Sequence, residues 1–166
     1  MPDLVIAIDD PAADDVRRLL ERHLAFAYAN SPPEHVHALD ESGLSEPSVT
    51  FFSARRSGSL VGVGALKQLD ETHGEIKSMH TSEQVRGQGV GRAMLDHLLA
   101  VASARGYRRV SLETGSTDEF APARTLYASA GFVPCEPFAA YRASEWNTFM
   151  TLELGEFGER GSLGAR

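Results

Sequence analysis

The amino-acid sequence predicts an α/β fold in which helices cover the faces of a mixed β-sheet. Three strand-like runs follow one another in the first half of the chain, and short polar turns separate them. Two helical segments alternate with strands in the second half. Strands joined by tight turns pair antiparallel, whereas a helix between two strands allows a parallel crossover, so both pairings are expected in one sheet. The chain has 166 residues, 42% of them hydrophobic, which is enough for one core.

The N-terminal quarter predicts one strand and one long helix. Residues 4–8 are rich in β-branched side chains and are followed by an Asp-Asp-Pro break. Apolar residues recur every three or four positions over residues 11–29, as in an amphipathic helix. We expect a second short helix at residues 34–41 and a loop at 42–47.

The next part of the chain predicts three strands. They span residues 49–56, 60–69 and 75–81, and Ser57-Gly58 makes a hairpin turn between the first two. A glycine-rich segment follows the third strand and leads into the clearest helix, at residues 91–105.

The C-terminal part predicts a strand at 109–113, a helix at 122–130 and a last strand at 149–154. Four glycines then fall within residues 155–166, which we interpret as a flexible tail. The expected organisation is therefore a single domain over residues 1–154 followed by that tail.

Composition excludes several classes of function. The net charge of −7, without a basic block, argues against nucleic-acid binding and against a polybasic membrane patch. The single cysteine, Cys135, cannot form an intrachain disulfide or a cysteine zinc cluster. The chain shows no apolar run long enough to span a membrane and no secretory signal, so we expect a cytoplasmic protein. We also expect that the protein needs no metal.

The most informative motif is the segment Arg-Gly-Gln-Gly-Val-Gly-Arg at residues 86–92. Glycines let the backbone approach a ligand closely, and the N-terminus of the following helix presents unpaired N–H groups and partial positive charge. Such a segment suits a diphosphate. The spacing matches neither the dinucleotide-binding fingerprint nor the phosphate-loop pattern, and what remains is R-x-x-G-x-G.

That motif, in that place, resembles the GNAT superfamily of acetyl-CoA-dependent N-acyltransferases. The similarity extends to the preceding strand, Glu75–Thr81, and to Leu126-Tyr127 with Gly131-Phe132 downstream, so it covers about residues 49–154. It implies a mostly antiparallel sheet with helices on both faces and two splayed, parallel central strands. It also implies acetyl-CoA as a co-substrate and a homodimer as one arrangement.

The resemblance implies a set of site residues. It assigns cofactor binding to ten residues: Met79, His80, Thr81, Arg86, Gly87, Gln88, Gly89, Val90, Gly91 and Arg92. It places oxyanion-binding N–H groups near Met79 and His80, and proton donation to the CoA thiolate at Tyr127. One position departs from the family: Phe120 stands where many members have an asparagine that binds the pantetheine arm. Ser116 or Thr117 is a candidate substitute for that contact.

An alkylamine is protonated at neutral pH, so acetylation requires a proton acceptor. Glu75, at the start of the strand before the glycine loop, is the leading candidate, although it also fits a solvated charge at a strand end. His73, Glu113 and a chain of water molecules are the alternatives.

Four residues are predicted to line the acceptor site, because in the resembling family the first helices and a late loop usually frame it. They are Tyr28, His35, Phe138 and Tyr141. The predicted activity is acetyl transfer from acetyl-CoA to a primary amine of a small molecule or peptide. The alternatives are a non-catalytic acyl-CoA-binding regulator on the same fold and a nucleotide-binding module.

Overall fold

The computed structural model describes residues 3–155, and its strands form one seven-stranded sheet. In chain order the strands are β1 Leu4–Ile8, β2 Val49–Arg56, β3 Ser59–Gln68, β4 His73–Thr81, β5 Arg109–Gly115, β6 Val133–Pro134 and β7 Asn147–Glu153. Their order across the sheet is β1-β2-β3-β4-β5-β7-β6. Every neighbouring pair is antiparallel except β4 and β5, which are parallel.

Within residues 3–155, four α-helices connect the strands. They are α1 Asp14–Asn30, α2 Glu41–Leu44, α3 Val90–Ala104 and α4 Ala121–Ser129. The parallel pairing of β4 with β5 requires a crossover, and α3 provides it. No helix among residues 3–155 has the length and apolar character needed to cross a membrane.

Neighbouring residues of β2 show that helices pack on both faces of the sheet. Phe51 belongs to a buried cluster with the apolar stripe of α1, whereas Phe52 belongs to the larger cluster that contains the α3 residues Leu95 and Leu98. Successive side chains of a strand point to opposite faces, so two cores form on one sheet. The predicted mixed, mostly antiparallel sheet with helices on both faces is confirmed.

The region between α1 and β2 differs from the sequence prediction. A short helix was expected at residues 34–41, but only a 3-10 turn forms, at Pro33–His35, and residues 36–40 have no regular structure. The helix instead lies at Glu41–Leu44, where a loop was expected. Its position is fixed by Asp40, whose carboxylate accepts a 3.0 Å hydrogen bond from the backbone N–H of Gly43.

Smaller differences concern the C-terminal half. The strand expected at 109–113 continues to Gly115, and a short edge strand, β6, forms after α4 where none was predicted. The predicted glycine-rich tail lies outside the described residues from position 156 onward.

Candidate active site

The parallel strands β4 and β5 diverge part-way along their length. Their pairing runs from His73–Arg109 to Ile76–Leu112. Beyond that point β4 continues to Thr81 and β5 to Gly115. A cavity of about 610 Å³ lies in this opening, and it is lined by both strands, α1, the segment after α1, the glycine loop and α4.

A β-bulge lies in β4 at the edge of this cavity. The register with β3 passes from Ala65–Lys77 to Val63–His80, so Ser78 and Met79 stand opposite one residue, Gly64. Ser78 has a φ of +57°, a left-handed conformation that is uncommon for residues other than glycine. A bulge leaves main-chain groups of the extra residue outside the ladder. Backbone donors and acceptors of β4 can therefore serve a ligand.

The glycine loop joins β4 to the N-terminus of α3. Gly87 and Gly89 have φ values of +80° and +86°, which side-chain-bearing residues adopt only at a cost. Gly89 is the residue before α3, and within the described helix the first turn carries neither an acidic side chain nor a side-chain cap. The N–H groups and the positive end of this helix are therefore available to an anion at the cavity.

Nine of the ten residues predicted to bind the cofactor line the cavity: Met79, His80, Thr81, Arg86, Gly87, Gly89, Val90, Gly91 and Arg92. The tenth, Gln88, accepts a 2.8 Å hydrogen bond from Arg56 at its side-chain oxygen.

Tyr127 reaches the cavity from α4. It is 93% buried, with 7% of its surface exposed, and its ring packs against Phe132. Burial, together with the nearby charge of Glu113, raises the pKa of the Tyr127 phenol well above its usual value. The phenol therefore stays protonated at neutral pH and can donate a hydrogen bond or a proton.

Glu113 reaches the cavity from β5, just beyond the last residue of that strand that pairs with β4. Its Oε2 accepts a 2.7 Å hydrogen bond from Nδ2 of Asn147, on the neighbouring strand β7. Burial raises the pKa of the Glu113 carboxyl, which the hydrogen bond from Asn147 and the charge of Lys77 partly offset. A carboxyl with a raised pKa at the cavity wall is suited to accept a proton.

Comparison with known proteins agrees with this architecture. Residues 14–132 match the sequence model of the Acetyltransferase (GNAT) family. The chain belongs to the GNAT family of acetyltransferases. It is 48% identical over 149 residues to the uncharacterized N-acetyltransferase YsnE of Bacillus subtilis, covering 90% of this chain and 99% of that protein. It is 36% identical to the IAA acetyltransferase of Azospirillum brasilense, covering 93% of this chain and 100% of that one.

Solved structures show the same GNAT fold. A protein from Klebsiella pneumoniae described as an acyl-CoA N-acyltransferase has a TM-score of 0.76 and 26% identity, over 92% of this chain and 98% of that one. A GNAT acetyltransferase from Elizabethkingia anophelis, solved with acetyl-CoA bound, has a TM-score of 0.61 at 16% identity, over 93% and 100% of the two chains. The predicted family and enzyme class are confirmed.

Glu75, the first candidate for the proton acceptor, is not a solvated charge. It is 2% exposed, it lies outside the residues that line the GNAT cavity, and its carboxylate forms a 3.2 Å ion pair with Lys77. The phenol of Tyr141 donates a 2.5 Å hydrogen bond to the same carboxylate oxygen. His73, an alternative candidate, is also buried, and its Nε2 bonds to the Ser111 hydroxyl at 2.7 Å.

Of the four predicted acceptor-site residues, one lines the cavity and two others contact each other behind it. His35 lines the cavity. Tyr28 does not line the cavity, and 54% of its surface is exposed. Because it follows the buried Ala27 by one residue, it falls on the solvent side of α1. Phe138 and Tyr141 pack with Phe149 behind the lining residues.

Seven further residues accompany His35 in this wall of the cavity. The lining from α1 and the segment after it comprises His23, Phe26, Ala27, Ser31, His35, Val36, His37 and Ala38. The apolar stripe of α1 contains His23 and Ala27, four residues apart. This spacing is the feature of the sequence from which their position on the inner face of the helix could be predicted. The residues after the helix have no periodicity from which their position could be predicted.

Phe120 occupies the cavity wall immediately before α4. Its ring fills the space beside Gly115, where an added Cβ would lie 2.1 Å from Phe120 Cδ2. It also makes an edge-to-face contact with Phe26, with ring centroids 5.2 Å apart. Arg124 holds this segment by donating to the carbonyl oxygens of Gly115 and Thr117. Phe120 therefore presents an aromatic ring to the cavity at a position where many family members have an asparagine side chain.

Proposed function

We propose that this GNAT acetyltransferase transfers the acetyl group of acetyl-CoA to a primary amine of a small molecule or peptide, by direct attack within a ternary complex. The observation that carries the proposal is that one cavity joins the glycine loop to the β4 bulge, Glu113 and Tyr127. An anion-binding loop, free backbone groups, a proton acceptor and a proton donor are the parts that this reaction requires.

Acetyl-CoA is proposed to enter along the loop side of the cavity. The N–H groups of residues 87–91 would bind the diphosphate, with Arg86 and Arg92 adding positive charge at the two ends of the loop. Main-chain groups of Met79 and Thr81 would hold the pantetheine arm. The bulge would then bring the thioester between the diverging strands.

The proposed chemistry is a direct displacement at the thioester carbonyl. The amine gives up its proton to Glu113, and its lone pair forms the new C–N bond. N–H groups of the bulge near Met79 and His80 stabilise the negative charge on the carbonyl oxygen. The C–S bond then breaks as Tyr127 donates its proton to the departing thiolate of CoA, and the positively charged nitrogen of the intermediate loses its second proton to the Tyr127 phenolate. The products are the acetylated amine and free CoA.

Glu113 suits the role of proton acceptor better than Glu75. The Glu75 carboxylate is already bound by Lys77 and Tyr141 and has no contact with the cavity. Glu113 lines the cavity, and its raised pKa brings it closer to the operating pH of a general base. Its negative charge would also attract the ammonium form of the acceptor before the proton is lost.

A coupled assay for CoA thiol release tests the proposal. The panel should include free amino acids, spermidine, an aminoglycoside and a peptide with a free N-terminus, each with acetyl-CoA. We expect release well above the amine-free rate with at least one class, and a loss of about a hundredfold or more in Glu113→Gln. Thermal stabilisation by acetyl-CoA without release for any amine would instead support the regulator. Stabilisation by ATP or NAD but not acetyl-CoA would support the nucleotide-binding module.

A further inference from the structure

The side-chain amide of Asn147 makes three hydrogen bonds. Its Oδ1 accepts from the hydroxyl of Ser144, and the carbonyl oxygen of His35, which can only accept, fixes the orientation of the amide. The Nδ2 then donates one hydrogen to Glu113 Oε2 at 2.7 Å and the other to the carbonyl oxygen of His35 at 3.0 Å. The residue is 8% exposed, so water competes little for these bonds.

We propose that Asn147 is a positioning residue that orients the Glu113 carboxylate toward the cavity and ties it to the acceptor wall at His35. The inference rests on the proposed function, since it assumes that Glu113 accepts the proton. It adds a residue of β7 that does not line the cavity and would not touch the substrate.

The geometry explains why a fixed amide is useful at this position. Glu113 follows the last β5 residue that pairs with β4. Strand β4 therefore does not help to hold this part of β5 in place. The bond from Asn147 occupies one carboxylate oxygen, Oε2, of a residue that lines the cavity. The same amide also bonds to the last residue of the 3-10 turn Pro33–His35, immediately before the irregular residues 36–40.

The protonation of Glu113 responds to several groups from the elements packed around it. Lys77 and Glu75 on β4 act on it with opposite signs, and Asn147 lowers its pKa by hydrogen bonding to the ionised form. The phenols of Tyr127 on α4 and Tyr141 before β7 also interact with its charge. Because an amide donor favours the carboxylate, its removal should raise the pKa of Glu113.

The test measures the pKa of Glu113 without an acceptor. The apoprotein is labelled with ¹³C at glutamate side-chain carboxyls. The Glu113 resonance is assigned by its loss in Glu113→Gln. That resonance is then followed as a function of pH in the wild type, Asn147→Ala, Ser144→Ala and Thr148→Val. We expect the pKa to rise by about one pH unit in Asn147→Ala and by less in Ser144→Ala, which keeps the donor but frees the amide. Thr148→Val should leave it unchanged, since Thr148 bonds to Ser116 instead.

A Glu113 pKa equal to that of the wild type in Asn147→Ala would overturn the proposal. If Asn147→Ala does not fold, an unchanged pKa in Ser144→Ala would overturn it in the same way. The pH dependence of kcat/KM is also measured in the thiol-release assay, with the most active amine of the panel. The apparent pKa of its acid limb should rise together with the Glu113 pKa measured by NMR. A purely structural role would lower the rate without changing that apparent pKa. A wild-type protein that releases no CoA with any amine contradicts the proposed function alone, because the NMR titration is independent of turnover.

Discussion

The Nδ1 atoms of His23 and His80 lie 3.3 Å apart in the wall of the cavity. One ring comes from α1 and the other from β4, next to the bulge. At this distance one imidazole donates and the other accepts, so the two rings carry opposite tautomers. Burial lowers the pKa of His23 to about 4 and that of His80 to about 3, and both rings are therefore neutral at physiological pH.

This pair predicts a loss of stability on mild acidification. In the unfolded chain a histidine takes up a proton near pH 6.5, whereas folded His23 does so only near pH 4. The unfolded state therefore binds more protons between these values, and the free energy of unfolding falls as the pH decreases through that window. Replacing His23 with Asn, which bonds to His80 without titrating, should reduce the loss.

Urea unfolding at pH 7 and pH 5 measures this effect. The wild type should lose more free energy of unfolding between the two pH values than His23→Asn does. Equal losses in the two proteins would show that His23 does not take part in the acid response.

The left-handed backbone at Gly89 predicts a binding defect when a side chain is added. A leucine at this position would be strained at a φ of +86° and would enter the space between the loop and a bound diphosphate. We expect Gly89→Leu to weaken acetyl-CoA binding at least about tenfold by calorimetry, a loss of about 1.4 kcal/mol. Gly58→Leu is the matched control, because Gly58 has a φ of +84° in the β2–β3 turn, away from the cavity. If both variants bound acetyl-CoA like the wild type, the loop would not be the diphosphate site.

Removal of the Tyr127 hydroxyl should affect turnover more than binding. Tyr127→Phe keeps the ring and its contact with Phe132 but loses the proton donor. We expect kcat to fall by about tenfold or more while the dissociation constant of acetyl-CoA changes little. Tyr107→Phe is the control, since Tyr107 is buried against Gly74 and does not line the cavity. An equal effect of the two substitutions on kcat would assign Tyr127 to packing alone.

The contact between Gly115 and Phe120 predicts that alanine is poorly tolerated at position 115. An added Cβ would overlap the aromatic ring, and the hydrogen bonds from Arg124 restrain the surrounding segment. We expect Gly115→Ala to reduce the free energy of unfolding by about 1–3 kcal/mol. Introduced into Phe120→Ala, where the smaller side chain leaves room, Gly115→Ala should cost less free energy of unfolding than it does in the wild type. A single variant as stable as the wild type would contradict the packing described here.

The parts of the site that lie close together in sequence could be predicted from it. The loop at 86–92 combines glycine spacing with the start of a strongly periodic helix, whereas Tyr127 was identified by the resemblance of Leu126-Tyr127 and Gly131-Phe132 to the GNAT superfamily. Both motifs are short and local, and the structure places both at the cavity. The strands around them were predicted to within a few residues, because hydrophobic patterns and turn residues are also local.

The parts that depend on distant contacts could not be predicted. Glu75 and Glu113 both lie on central strands, and their surroundings differ because Tyr141, 66 positions from Glu75, binds one carboxylate, while Asn147 binds the other. The 3-10 turn at Pro33–His35, beside the cavity, is held by a hydrogen bond between His35 and Asn147, which are 112 positions apart. Neither relationship leaves a pattern within a short window of sequence.

A crystal structure with acetyl-CoA bound tests the central claim most directly. The account predicts diphosphate oxygens within hydrogen-bonding distance of backbone N–H groups in the loop 86–92. It also predicts the thioester carbonyl beside the β4 bulge, between Met79 and Glu113. A diphosphate bound elsewhere on the protein, or a thioester outside the opening between β4 and β5, would contradict it.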